Sequence, residues 1–395
     1  MLNTNFSPWP SFTKEEVDAV SKVLLSNKVN YWTGSICREF EQDFSDWCNV
    51  KYSVALANGT LALDSAFKAI NLGYGDEVIV TSRTYIASVS SIVNSGALPV
   101  FIDVDLDSQN INPNFIRSSI TTNTKAIVCV HLAGWPCEMD EIMEIANEYN
   151  LFVIEDCSQA HGAKYKEKPL GSIGHIGCWS FCQDKIISTG GEGGMVTTNS
   201  ETLWNKMWSY KDHGKNYKLA HQSTLSNVFR YIHESFGTNW RMTEMQAVIG
   251  QIQLKRMSVW HTKRLKNANR IWDEARKCKG LRAPIIHDYI EHAAYKCYVF
   301  VEPSLLRADW TRERIIEEIK LLGVPCYSGS CSEVYLEKSF TDTGIMPKVS
   351  LPNAKKLGEE SLMFLVHPTL NNNEIQKTCD VIKAVMKMAS KKSDG

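Results

Sequence analysis

Seven short apolar runs between residues 52 and 198, separated by stretches with helical spacing, constrain this chain more than any other feature. The runs at 52–56, 77–81, 98–104, 125–131, 151–155 and 177–181 have the length of buried strands, and 194–198 closes the set. Between them, 60–71, 87–96 and 137–149 place apolar residues three and four apart. Strands alternating with helices build a mainly parallel sheet covered on both faces, so an α/β class is expected. After residue 239 the pattern changes: a long helical stretch at 243–273, strands within 294–301, a helix at 311–322 and a terminal helix from 373. These describe a smaller α+β lobe. The boundary is placed near 260, giving a large domain 1–260 and a small domain 261–395.

Composition narrows the function classes. The 395 residues are 44% hydrophobic, enough for a large core and a second lobe. A net charge of -1, with both signs interspersed, offers no footprint for nucleic acid. The basic stretch 387–392 is expected to be a frayed tail. No apolar run is long enough for a bilayer, and the first residues lack the pattern of a secretion signal, so a cytoplasmic location is expected. Twelve cysteines are scattered without a Cys-x-x-Cys pair, and Cys178 with Cys182 has no matching histidines. They read as reduced thiols, with no metal site.

The chemistry points to Lys185, which stands between the run 177–181 and the glycine-rich Gly190-Gly-Glu-Gly-Gly194. Taken alone, such a lysine is an ordinary solvated loop residue. A lysine that forms a Schiff base needs companions that hold a carbonyl cofactor, and these occur along the chain. Asn58-Gly59-Thr60 joins a strand to a helix, where free N–H groups can hold a phosphate, although a helix cap explains it equally well. Asp156 ends a strand, where a carboxylate can pair with a pyridine nitrogen or simply cap a helix, and Gln159 and His161 follow it. Ser180 can donate to a phosphate, and Tyr85 can stack on a planar ring or pack in the core.

Taken in order, the motifs are specific. Asn58-Gly-Thr-Leu-Ala-Leu63, Thr84-Tyr-Ile-Ala-Ser88, Val153-Ile-Glu-Asp-Cys-Ser-Gln-Ala-His-Gly162, Ser180-Phe-x-x-x-Lys185, Gly191-Glu-Gly-Gly194, Asp212-His-Gly214, Gly237-Thr-Asn-Trp-Arg-Met242 and His367-Pro-Thr-Leu370 all occur. From about Ser11 to Leu370 the chain resembles the DegT/DnrJ/EryC1/StrS family of pyridoxal-phosphate sugar aminotransferases, which have the fold-type I architecture. The resemblance implies a mostly parallel seven-stranded sheet, pyridoxal 5'-phosphate with its pyridoxamine form during turnover, and a homodimer with shared sites. It implies that Lys185 carries the cofactor and moves the proton, that Asp156 faces the pyridine nitrogen, and that Gln159 neighbours the ring hydroxyl. Gly59, Thr60 and Ser180 match the phosphate cup, Tyr85 the stacking aromatic, and Asn239 an asparagine that reaches the neighbouring subunit's phosphate.

Lysine at 185, where dehydratase relatives carry histidine, favours amine transfer over dehydration. A cofactor-fold regulator without catalysis is disfavoured, since no helix-turn-helix module or basic patch precedes residue 53. The expected substrates are L-glutamate and a nucleotide-linked keto-sugar, a 4-keto-6-deoxyhexose in preference to a 3-keto-sugar, for an amino sugar of a surface polysaccharide. Relatives carry a His-Tyr-Pro-type segment after Gly323-Val324, where this chain reads Pro325-Cys-Tyr-Ser-Gly-Ser-Cys-Ser-Glu-Val-Tyr335. Tyr327 and Ser330 in that segment, His213, and Tyr31 and Trp32 in the loop 30–34 are the candidate substrate contacts.

Overall fold

A computed structural model describes residues 6–222 and 231–391; Lys392 of the basic stretch and the first five residues lie outside the described residues. The seven expected runs form one sheet: β1 Tyr52–Leu56, β2 Glu77–Thr81, β3 Leu98–Ile102, β4 Thr124–Val130, β5 Phe152–Asp156, β6 Ile176–Ser180 and β7 Gly194–Thr198. Their order is β1-β7-β6-β5-β4-β2-β3. Residues such as Val78, Ile79, Val80, Ile127 and Val128 are fully buried, because helices cover both faces.

Strands β6, β5, β4, β2 and β3 run parallel. β7 is antiparallel to both β1 and β6. The reversal has a local cause. Each parallel neighbour is reached through a crossover, whereas β6 passes to β7 by the short Lys185 loop, which has no helix to carry the chain back across the sheet.

The helices include α1 Lys14–Leu25, α2 Ile36–Cys48, α3 Gly59–Ala69, α4 Ala87–Asn94, α5 Met139–Tyr149, α6 Glu201–Lys211, α7 Glu244–Lys255, α8 Met257–Lys277, α9 Arg312–Leu321 and α10 Asn372–Ala389. The expected single helix at 243–273 is two helices that meet at Arg256. Arg256 binds Glu15 and Glu16 of α1, so the junction is tied to the N-terminal helix. The boundary expected near 260 falls in the first turn of α8.

Past α8 a second, antiparallel sheet forms from β8 Leu281–Arg282, β9 Cys297–Val301, β10 Cys326–Tyr327 and β11 Ser361–Phe364, in the order β8-β9-β11-β10. Its apolar face packs with α8 and α10 around Trp272, Val299, Phe364 and Ile382. The frayed tail expected at 387–392 is corrected. Lys387 belongs to α10, the Lys391 N–H donates to Leu305 O at 2.9 Å, and its Nζ donates to Ser304 O at 2.7 Å. All twelve cysteines are free thiols; nine are buried and Cys331 is exposed. Among the described residues, no helix is long and apolar enough to cross a membrane.

Candidate active site

The carboxyl ends of β1, β5 and β6 open into one cavity of about 960 Å³, closed on the far side by the second sheet. Gly59, Thr60, Tyr85, Asp156, Gln159, Ser180, Lys185, Tyr327 and Ser330 all line it. Residues scattered over more than 270 positions in sequence therefore converge on one volume.

Each wall residue is set by its element. Asn58 caps α3 by accepting from Leu61 N at 3.0 Å, so the cap is Asn58 and, within the first turn, the N–H groups of Gly59 and Thr60 remain for a ligand. A Cβ on Gly59 would lie 2.5 Å from the Ser180 Cβ, so only glycine lets β6 bring its hydroxyl beside that helix end. Free N–H groups, the positive end of a helix dipole and a hydroxyl suit a phosphate. Asp156, at the end of β5, accepts from Ser88 Oγ at 2.7 Å and from Ser158 N at 3.1 Å. It caps no helix. Gln159 accepts from Ala133 N at 2.7 Å through its side-chain oxygen, which leaves its NH₂ group for the cavity. Tyr85 is 69% exposed, so its ring is a free face and not a core residue.

Lys185 lies in the turn after β6. Its N–H donates to Cys182 O at 3.1 Å, its carbonyl accepts from Trp9 Nε1 at 2.8 Å, and its Nζ is 5.3 Å from the centroid of the Tyr295 ring. The Tyr295 hydroxyl donates to Asp184. Burial, together with the Asp184 carboxylate, raises the Tyr295 phenol well above its ordinary range. Neighbouring Lys296 also lines the cavity; burial pushes its ammonium down to about 8, with Arg264 and Lys185 acting in the same direction and Asp184 opposing.

His161 does not reach the cavity. It is fully buried against Trp179 and Phe181, neither ring nitrogen has a partner, and burial drives it down to about 3. The group His131, Glu155 and Cys157 lies close enough for a metal, but Glu155 already accepts N–H groups from Gly171, Ile173 and Gly174. It serves as a backbone clamp.

The model of the DegT/DnrJ/EryC1/StrS aminotransferase family matches residues 10–383. The chain belongs to this family. The dTDP-3-amino-3,6-dideoxy-alpha-D-galactopyranose transaminase of Aneurinibacillus thermoaerophilus is 32% identical, over 94% of this chain and 95% of its own. The GDP-perosamine synthase of Caulobacter vibrioides is 39% identical, over 74% and 76% of the two chains. The X-ray structure of the aminotransferase from Psychrobacter cryohalolentis is 60% identical, with a TM-score of 0.95 over 97% of this chain and 99% of that one. The protein is a pyridoxal-phosphate-dependent sugar aminotransferase. The cavity fits that cofactor: a phosphate cradle at α3, a buried carboxylate for a cationic ring nitrogen, an amide for a ring hydroxyl, and an amine for the aldehyde.

The remaining sequence candidates gather elsewhere, around Asp212. That carboxylate is buried and accepts from Trp32 Nε1, Lys215 Nζ and Arg241 Nη1, each at 2.9 Å. Asn239 pairs its backbone with Asp212 and is exposed, as is His213. Tyr31 is corrected: its ring is 1% exposed, packed under Lys211, with its hydroxyl between Glu41 and Trp208. A side chain so enclosed cannot touch a substrate. The hydrogen-bonding loop 30–34 suggested contact from composition alone, without the depth at which it packs.

Sequence reasoning missed Ser88, Trp9, Tyr295 and Lys296. Lys296 had a readable signal, since a lysine directly before the apolar run Cys297–Val301 is out of place in a buried strand.

Proposed function

We propose that this aminotransferase moves the amino group of L-glutamate to a nucleotide-linked keto-sugar, a 4-keto-6-deoxyhexose, for an amino sugar of a surface polysaccharide. The observation that carries the reading is the convergence of Lys185, Asp156 and the free end of α3 on one cavity. When bound, pyridoxal phosphate supplies an aldehyde that takes up the amine and a cationic ring that withdraws electrons from the adjacent carbon. Asp156, fixed by Ser88 and Ser158, holds the proton at the ring nitrogen. Gly59, Thr60 and Ser180 hold the phosphate, Gln159 meets the ring hydroxyl, and Tyr85 covers the ring.

Lys185 Nζ takes the proton from the α-carbon of glutamate in the first half of the cycle. In the second half it delivers a proton to the sugar carbon that bore the ketone. Two relatives whose names carry a nucleotide or an amino-deoxy sugar support the substrate class. The exposed Asn239 beside Asp212 supports a homodimer in which that asparagine reaches the neighbouring subunit's phosphate. Twelve free thiols support action in the reducing cytoplasm.

Lys185→Ala is expected to lose turnover and the absorbance of the cofactor-lysine linkage while still binding pyridoxamine phosphate. Full activity in that variant would refute the reading. A panel of nucleotide keto-sugars, offered to the pyridoxamine-loaded enzyme and followed by its spectrum, identifies the acceptor and the position of its ketone.

A further inference from the structure

Lys296 stands just before β9, with its side chain on the cavity wall. Among the described residues it makes no hydrogen bond and no ion pair; its ammonium rests 4.7 Å from the centroid of the Tyr295 ring. Lys185 Nζ lies 5.3 Å from that same centroid, so the two amines serve one end of the cavity. Arg264, 1% exposed, donates from Nη1 to the Tyr295 carbonyl at 3.4 Å, and its Nε and Nη2 have no partner among the described residues. The carboxylate that faces the group is Asp184, which already accepts the Tyr295 hydroxyl.

Two ammonium groups therefore stand within 5.3 Å of one ring centroid, and a third cation meets the backbone of the same residue. A half-buried ammonium without a partner is costly, and an anionic ligand offsets that cost. If Lys185 is committed to the cofactor, as the proposed function has it, Lys296 is the ammonium left to receive such a ligand.

We propose that Lys296 binds the α-carboxylate of the amino donor and so delivers the donor's amine to the Lys185 position. Position selects this anion over the diphosphate of the sugar nucleotide. An α-carboxylate is bonded to the carbon whose amine must reach Lys185, whereas a diphosphate is held away from the ketone by the sugar ring. The inference rests on the aminotransferase reading and adds a residue for its donor.

The test uses glutarate, a dicarboxylate without an amine, titrated into the cofactor-loaded enzyme and read from the cofactor absorbance. Lys296→Met is expected to raise the glutarate Kd about tenfold or more, the usual weight of a contact to a charged group. Lys296→Arg, which keeps the charge, is expected to stay within about threefold, and the Kd for a nucleoside diphosphate is expected to stay unchanged in both. An unaltered glutarate Kd in Lys296→Met overturns the proposal. So does a loss confined to the nucleoside diphosphate, which would assign Lys296 to the sugar nucleotide. If Lys296→Met loses the cofactor, Lys296→Gln, with a polar end, carries the same comparison. Failure of the functional reading has its own signature: wild-type enzyme mixed with L-glutamate alone would keep the aldehyde spectrum, whatever glutarate does.

Discussion

The two walls of the cavity are built differently. On the large-sheet side the polar groups are already held in place: Asp156 by Ser88 and Ser158, Gln159 by Ala133, and Ser180 against Gly59. On the second-sheet side the backbone is anchored, but the facing groups are open. Arg83, fully buried, donates to Gln109, Ser330 O, Ser332 and Ser361 and pins the segment 329–332, while Tyr298 Oη accepts from Ser330 N at 2.9 Å. Lys296 and Ser330 then face a ligand with donors to spare. A constant cofactor wants a wall whose groups are held in one orientation before it binds; a substrate that arrives and leaves is met by side chains that are held only when it is present.

The comparison can be broken in several places. Asp156→Asn is expected to lower kcat by about 10³-fold, within the range for a misplaced proton, with Ser88 and Ser158 unable to compensate. A loss below tenfold, in steady-state kinetics, would take Asp156 out of the first wall's chemistry. Gly59→Ala is expected to weaken cofactor binding at least about tenfold by pushing Ser180 away from the helix end. In a Ser180→Gly background the same Gly59→Ala change should cost less in a cofactor titration than it does in the wild type; an equal cost would mean that the close approach is not the cause.

Arg83→Met acts on the opposite wall. It is expected to raise the acceptor KM about tenfold, leave the cofactor Kd unchanged and admit protease within 328–333, because Ser332 and Ser361 lose a buried donor. A cofactor defect of equal size would show that the two walls are one unit.

The smallest effect concerns acid stability. His161 is near 3 in the folded protein and 6.5 in its ordinary state, so below about 6.5 the unfolded chain binds the extra proton. Stability therefore falls as pH drops from about 6.5 toward 3, by up to about 1.4 kcal/mol per pH unit. His161→Phe, in a pocket of Trp179 and Phe181, should flatten the fall in Tm between pH 7 and pH 5. Parallel Tm curves for the two proteins would count against it.

The sheet was legible because each strand is a short apolar run buried on both faces, and that burial is written in the residues themselves. The first wall was legible for a related reason: Asp156 and Ser180 end strands, Gly59 and Lys185 follow within five residues of a strand end, and strand ends could be read. The break at Arg256 was not, since both halves keep helical spacing and the pair that ties Arg256 in place, Glu15 and Glu16, is distant in sequence. Nor was the second wall's role for Tyr295, an aromatic beside an apolar strand that passes for core until its hydroxyl is seen on Asp184. Tyr31 misled in the opposite direction, as a polar aromatic in a loop that the fold happens to bury.

Trp9 ties the site to a segment that lies far from it in sequence. Its indole holds the Lys185 carbonyl, stacks 5.9 Å from His367 and lies 4.9 Å from the Arg264 guanidinium. The reactive turn is thus roofed by residues far apart in sequence. Trp9 belongs to neither sheet, yet its indole is shared between the Lys185 turn and the second lobe's His367 and Arg264. Loosening the segment that carries Trp9 would therefore free the reactive turn without altering a single residue of the cavity wall.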